Sequence, residues 1–198
     1  MKALRPVLFC GVLVVLALWL RLPGLDSFLT PDESVWASGT AQFVSALRTG
    51  DWAATNISGH PGITTIWAGS AGLLARWLCA RPQGIHSLTE LAQDLAAHPV
   101  RLDYLPWLRA PVALACALGI AAIYLLARRL LSEPLALLAA VLISLDPFYL
   151  AHGRVLQMDA LLTTTICISW LALLVAMRTE QRRYYLRSGL AIGLAVLS

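Results

Sequence analysis

A pair of adjacent carboxylates, Asp32-Glu33, follows Thr30-Pro31 a few residues beyond the first apolar run of the chain. Just outside a membrane span, such a pair could act as a general base or hold a metal or a cationic partner. The same residues also spell a helix start. Thr30 can be the N-cap, Pro31 the first helical residue and Glu33 the acid of a capping box, with Asp32 at the positive end of the helix dipole. The capping box uses Glu33 and leaves the Asp32 side chain unused. Gly59-His60-Pro61-Gly62 opens a second helical stretch, where backbone amides beside a histidine could seat a phosphate; a proline-initiated helix with His60 at its cap is the plainer reading. A third patch, from His152 to Asp159, lies between two apolar runs. Charges at the mouth of apolar helices are costly to bury, so Arg154 and Asp159 either pair with each other or face a polar cavity. Asp146-Pro147 reads as a helix terminator before a proline-started turn.

The elements that must hold these residues belong to a membrane protein. The chain has 198 residues, 59% hydrophobic and 13% charged, too little polar surface for a water-facing globule. The net charge of +4 comes from arginines between apolar runs. No basic stripe with interleaved aromatics occurs, which argues against a nucleic-acid partner. Cys10, Cys79, Cys116 and Cys167 have no CxxC or other chelating spacing and read as buried thiols. The expected fold is an all-α, polytopic membrane helix bundle, with spans at about 4–22, 107–127, 133–150 and 159–177 and a partial one at 188–198. The first run lacks a small-x-small cleavage site and is read as an uncleaved span.

The long connector between the first two spans should contain its own helices, at about 31–48 and 61–79. The second could cross the membrane, yet its bulky residues form one stripe and Thr64, Thr65, Ser70, Arg76 and three glycines fill the rest. If it lies at the interface, Arg128-Arg129 and the cluster Arg178, Arg182, Arg183 and Arg187 fall beside Lys2 and Arg5 in the cytoplasm, as the positive-inside bias favours. Nine of the eleven acids, Asp32, Glu33 and Asp159 among them, then gather on the outer side.

This succession resembles the N-terminal part of a GT-C superfamily glycosyltransferase of the protein O-mannosyltransferase type, a group that includes the RgtA/B/C/D-like enzymes and the lipid A aminoarabinose transferases. The likeness rests on Pro31-Asp32-Glu33 after a first span, Gly50-Asp51-Trp52, His60-Pro61 opening a second helix, a span beginning near Arg109, a basic turn, and Arg154 followed by Val155-Leu156-Gln157-Met158-Asp159. It covers nearly the whole chain. It implies a hexosyl- or pentosyltransferase that takes a sugar from a polyprenyl-phosphate donor and passes it, with inversion, to a protein, lipid or glycan acceptor on the outer face of the membrane. Carried over by position, the resemblance implies that Asp32 is the catalytic carboxylate that activates the acceptor, as a base, and Glu33 its partner. His60 and Arg154 approach the donor phosphate, and Asp159 orients it or holds a cation. A divalent metal is thus compatible with the pattern, and no other cofactor is implied. This chain departs from its relatives at His60-Pro61-Gly62-Ile63, where they commonly have a second proline and a leucine, and at His152-Gly153-Arg154 and Gln157.

The implied location is a plasma membrane of bacterial type, with the N-terminus cytoplasmic. Residues 1–198 are read as the N-terminal part of one larger membrane domain, expected to insert but to transfer little or no sugar alone. The competing reading is a transporter or flippase for a lipid-linked or small polar substrate, with Asp146, Arg154 and Asp159 along a path between broken helices.

Overall fold

The computed structural model describes residues 4–57, 62–80 and 84–198. They form helices α1 (Leu4–Arg21), α2 (Glu33–Thr49), α3 (Ile63–Ala80), α4 (Leu88–Ala97), α5 (Leu105–Ala127), α6 (Glu133–Leu145), α7 (Pro147–His152), α8 (Asp159–Thr179) and α9 (Arg182–Leu197), with short 3-10 turns at Ala53–Thr55 and Leu102–Tyr104. Among the described residues there is no strand, and the fold is an all-α membrane helix bundle. Three stretches are long and apolar enough to cross a bilayer: Leu4–Arg21, Leu102–Ala127 and Asp159–Thr179. The apolar run 133–150 is not one helix. Asp146 ends α6, and its Oδ1 accepts the Tyr149 N–H at 2.7 Å to start α7 on Pro147. The thirteen residues of α6 reach only about 20 Å at 1.5 Å per residue, short of a hydrocarbon core of about 30 Å.

The chain divides into two compact units. One, the span unit, comprises Met1–Pro23, Ala113–Gly153 and Asp159–Ser198. Its core includes Leu126, Ala172, Val175, Ala176 and Tyr184, from α5, α8 and α9. Small and hydroxylated residues let these helices approach: a Cβ on Gly119 would fall 2.1 Å from Thr164 Cγ2, and Ser169 Oγ meets Ser188 O at 3.0 Å. Close backbone approach and interhelical hydrogen bonds are what hold helices together where lipid removes the hydrophobic drive. Leu4, Val7, Leu8, Val12, Val15 and Trp19 on α1 are exposed. An apolar surface of that extent belongs against lipid tails.

The other, the connector unit, comprises Gly24–Val112 and Arg154–Met158. Helix α2 buries Ala37, Gly39, Thr40, Ala41 and Val44, and ends on Gly50 in the left-handed region (φ 74°), whose N–H caps Ala46 O. Helix α3 turns its small and polar residues inward. Thr65, Gly69, Gly72 and Arg76 are buried with Ile66 and Leu73, while Trp67, Leu74 and Leu78 are exposed. A helix with that polarity suits apolar surroundings on its outer side. Arg76 Nη2 bonds Asp103 Oδ2 at 2.7 Å, Arg101 grips the same carboxylate, and Arg101 Nη1 reaches Asp94 at 3.0 Å, so α3, α4 and the turn before α5 share one ionic knot. Helix α4 is set by Ser87, whose hydroxyl accepts the Glu90 N–H, while Glu90 accepts the His86 N–H.

Helix α3 and the first turn of α5 approach closely, for a Cβ on Gly72 would lie 2.0 Å from the Trp107 carbonyl oxygen. Backbone cannot step aside as a flexible side chain can. Gly72→Ala is therefore expected to destabilise the detergent-solubilised protein by about 1–3 kcal/mol. Gly193→Ala, with nothing within 4 Å, should leave melting followed by circular dichroism essentially unchanged.

Candidate active site

Helix α2 begins at Glu33, with Asp32 at the cap position, and the Asp32 side chain makes no capping bond. Only part of the expected capping box forms. Glu33 Oε2 accepts the Thr30 N–H at 2.9 Å, but the Thr30 hydroxyl donates to that same carboxylate at 3.0 Å instead of capping a helix amide. The carboxylate draws it, because Glu33 is turned fully inward to meet Arg109.

Arg109, in the first turns of α5, donates Nε to Glu33 Oε1 at 2.7 Å and Nη2 to Oε2 at 2.6 Å. Nη1 reaches the carbonyls of Leu25 (2.7 Å) and Ser27 (3.3 Å), and Nη2 that of Phe28 (2.7 Å), so all five guanidinium N–H groups have acceptors. Leu156, in the segment before α8, donates its N–H to Glu33 Oε1 at 2.8 Å. Side-chain exposure is 2% for Arg109 and 0% for Glu33. Burial by itself would raise the Glu33 carboxyl, but the Arg109 fork and the Thr30 and Leu156 amides outweigh it and hold the group below its ordinary 4.5.

The neighbouring carboxylate is different. Asp32 is exposed, and its Oδ2 accepts a bond from Gln157 Nε2 at 3.2 Å. Arg154 is half-buried in the same unit, where Nη2 would lie 3.5 Å from a Cβ placed on Gly24. The connector unit thus gathers Asp32, Glu33, Arg154 and Gln157, although residues 32–33 and 154–157 are far apart in sequence. Asp159, half-buried, opens α8 and belongs to the span unit. His60 lies outside the described residues. Among the described residues no three His, Cys, Asp or Glu side chains cluster as a protein-held metal would require.

Residues 106–198 match the family described as dolichyl-phosphate-mannose-protein mannosyltransferase. This mannosyltransferase match begins in the first turn of α5, takes in Arg109, Arg154, Gln157 and Asp159, and spans a little under half of the chain. It supports a GT-C-type glycosyltransferase. Asp32 and Glu33 precede the mannosyltransferase-like stretch and are tied to it by the bonds to Arg109, Leu156 and Gln157. No curated protein and no solved structure gives a significant match to the chain.

Two residues of this arrangement escape a reading by motif. Arg109 is visible in the sequence only as the place where a span begins, and Gln157 only as a polar residue in an otherwise apolar stretch. An arginine at the head of an apolar run needs a partner, and that is the signal that points from Arg109 to a nearby acid.

Removing one member of a buried, hydrogen-bonded ion pair strands the other. Glu33→Gln and Arg109→Ala are each expected to destabilise the protein by about 3–5 kcal/mol in thermal or denaturant unfolding. The ionised carboxylate also gives a pH signature. Because Glu33 is held below 4.5, its contribution is whole above that value and lost as pH falls through the lower folded-state value. Melting of the wild type between pH 7 and pH 3 should show this acid-side loss, and Glu33→Gln should lack that component.

Proposed function

We propose that the chain carries the acceptor-activating half of a glycosyltransferase site, which moves a sugar from a polyprenyl-phosphate donor to an acceptor on the external face of the membrane. The observation that carries this reading is the exposed Asp32 carboxylate, held beside the 154–158 segment by Gln157 in a chain whose residues 106–198 match a mannosyltransferase family.

The two acids divide the work. Glu33 has its oxygens filled by Arg109, Thr30 and Leu156 and has no lone pair directed at solvent; it is a positioning residue rather than a base. Asp32 has one weak partner and solvent access, so it can take a proton from an acceptor hydroxyl as the oxygen attacks the anomeric carbon. Arg154 supplies a cation for the departing phosphate, and a fixed positive charge there stabilises the charge that develops on the leaving group. Asp159 and His60 are proposed, from the resemblance and their positions in the sequence, to act on the donor phosphate. The acidic side of the connector is placed outside and the N-terminus in the cytoplasm, in keeping with the arginine clusters at 128–129 and 178–187.

The broken run at Asp146 is the feature a transporter would use, since it lies on a cavity of about 400 Å³ with Tyr149, Thr164 and Cys167 in the span unit. The Asp146 carboxylate, however, is engaged in starting α7, which leaves the helix break structural. The glycosyltransferase reading is therefore preferred.

Asp32→Asn keeps the size and the Gln157 contact but removes the base. Sugar transfer by the intact enzyme in membranes should fall by about 10²–10⁴-fold, with expression and melting unchanged. Turnover close to wild type would remove Asp32 from the mechanism.

A further inference from the structure

The connector unit holds a cavity of about 360 Å³ beside α2, within the size range of small-molecule sites. Its lining includes Trp36, Ser38, Gly39, Gln42, Ile57 and Ile66. Gly39, Ile57 and Ile66 meet one another: a Cβ on Gly39 would lie 3.4 Å from Ile57 Cγ2 and 3.6 Å from Ile66 Cδ1. They make an apolar contact at one side of the cavity, and Trp36, Ser38 and Gln42 bring an aromatic face, a hydroxyl and an amide. Among the described residues, Ser38 and Gln42 have no side-chain hydrogen-bond partner, so a hydroxyl and both ends of an amide remain available to a ligand.

Trp36 is held in place. A Cβ on Gly62 would stand 2.2 Å from Trp36 Cη2 and 2.4 Å from Cζ3, and Gly62 has φ 132°, a conformation closed to ordinary side chains. The indole therefore fills the space a side chain at position 62 would need. This accounts for the glycine in His60-Pro61-Gly62-Ile63 where the resembling enzymes commonly carry a second proline. A proline fits neither the angle nor the space. Trp36 and Gly62 form a matched pair, with Trp36 one helical turn beyond Asp32, whose carbonyl accepts the Trp36 N–H at 3.2 Å.

An aromatic face, an apolar side and a short array of neutral donors and acceptors is chemistry for a pyranose ring. Its C–H face is apolar, its rim carries hydroxyls, and it has no charge to balance. We propose that this cavity is a sugar-ring subsite, with Trp36 as the stacking wall and Gln42 and Ser38 as hydroxyl readers. The proposal rests on the glycosyltransferase reading and deepens it: the ring is that of the donor sugar or of a sugar on the acceptor.

The test uses the intact protein in lipid nanodiscs and saturation-transfer difference NMR with methyl pyranosides of mannose, glucose, galactose and arabinose. At least one should take up saturation from the wild type. Trp36→Ala is expected to weaken that binding about tenfold, and the surface change Gln42→Ala, which leaves the packing of α2 untouched, severalfold. Gly39→Leu, which fills the cavity, should abolish it. Displacement of the glycoside by polyprenyl-phosphate mannose, but not by polyprenyl phosphate, identifies the donor ring; continued binding beside the saturating donor identifies an acceptor sugar. Absence of binding by all four glycosides, or binding indifferent to Gln42→Ala and Gly39→Leu, overturns the subsite. Transfer by Asp32→Asn is measured alongside. An inactive Asp32→Asn with no glycoside binding removes the subsite alone, and an active Asp32→Asn with Trp36-dependent binding removes the proposed base alone.

Discussion

The buried contact between Arg109 and Glu33 is where the connector unit is assembled. An arginine at the head of an apolar helix cannot shed its charge, and a carboxylate without solvent must be matched nearly oxygen for oxygen. Here both conditions are met by the same few groups. The guanidinium gathers three carbonyls between Leu25 and Phe28, and the carboxylate gathers Thr30 and the Leu156 amide. Three pieces of chain, the stretch entering α2, the head of α5 and the segment before α8, converge on one ion pair. Such a pair adds less net stability than its geometry suggests, since both charges were desolvated to make it, but it leaves few alternative arrangements of those three pieces.

What the ion pair fixes, Asp32 inherits. One residue back from a side chain with no freedom, the Asp32 carboxylate is carried to the surface by the helix start and meets Gln157 there. Adjacent carboxylates in a helix N-terminus point in different directions, and here that difference separates a buried, low-pKa anchor from an exposed carboxylate. A single dipeptide thus combines a buried anchor and an exposed carboxylate.

Membrane character was legible from composition, because too few polar residues leave only a membrane solution, and the all-α class from the length of the apolar runs. The start of α2 could be read from Thr30-Pro31 and Glu33, and its end from Gly50. Two things could not. The Thr30 hydroxyl leaves its expected amide for the Glu33 carboxylate, a choice made by Arg109 seventy-six residues away and invisible to local spacing. The break between α6 and α7 was signalled by Asp146-Pro147, yet hydropathy averages across it, so 133–150 reads as a single span. Ser87 and Glu90 form a capping pair that local rules do describe, and α4 is the element a closer reading of the connector would have added. In the candidate site, Asp32 and Arg154 stood out by type, but Arg109 and Gln157 acquire meaning only from their partners in space.

The bonds around Arg109 and Glu33 have one more property. Apart from Thr30 and the ion pair itself, every partner is main chain: the carbonyls of Leu25, Ser27 and Phe28 and the N–H of Leu156. Polar recognition of this kind does not depend on which side chain the recognised residue carries, save that a proline at 156 would have no hydrogen to give. The path of these segments is therefore specified by two side chains, while the residues along it can change. A single frame of this sort could carry many specificities.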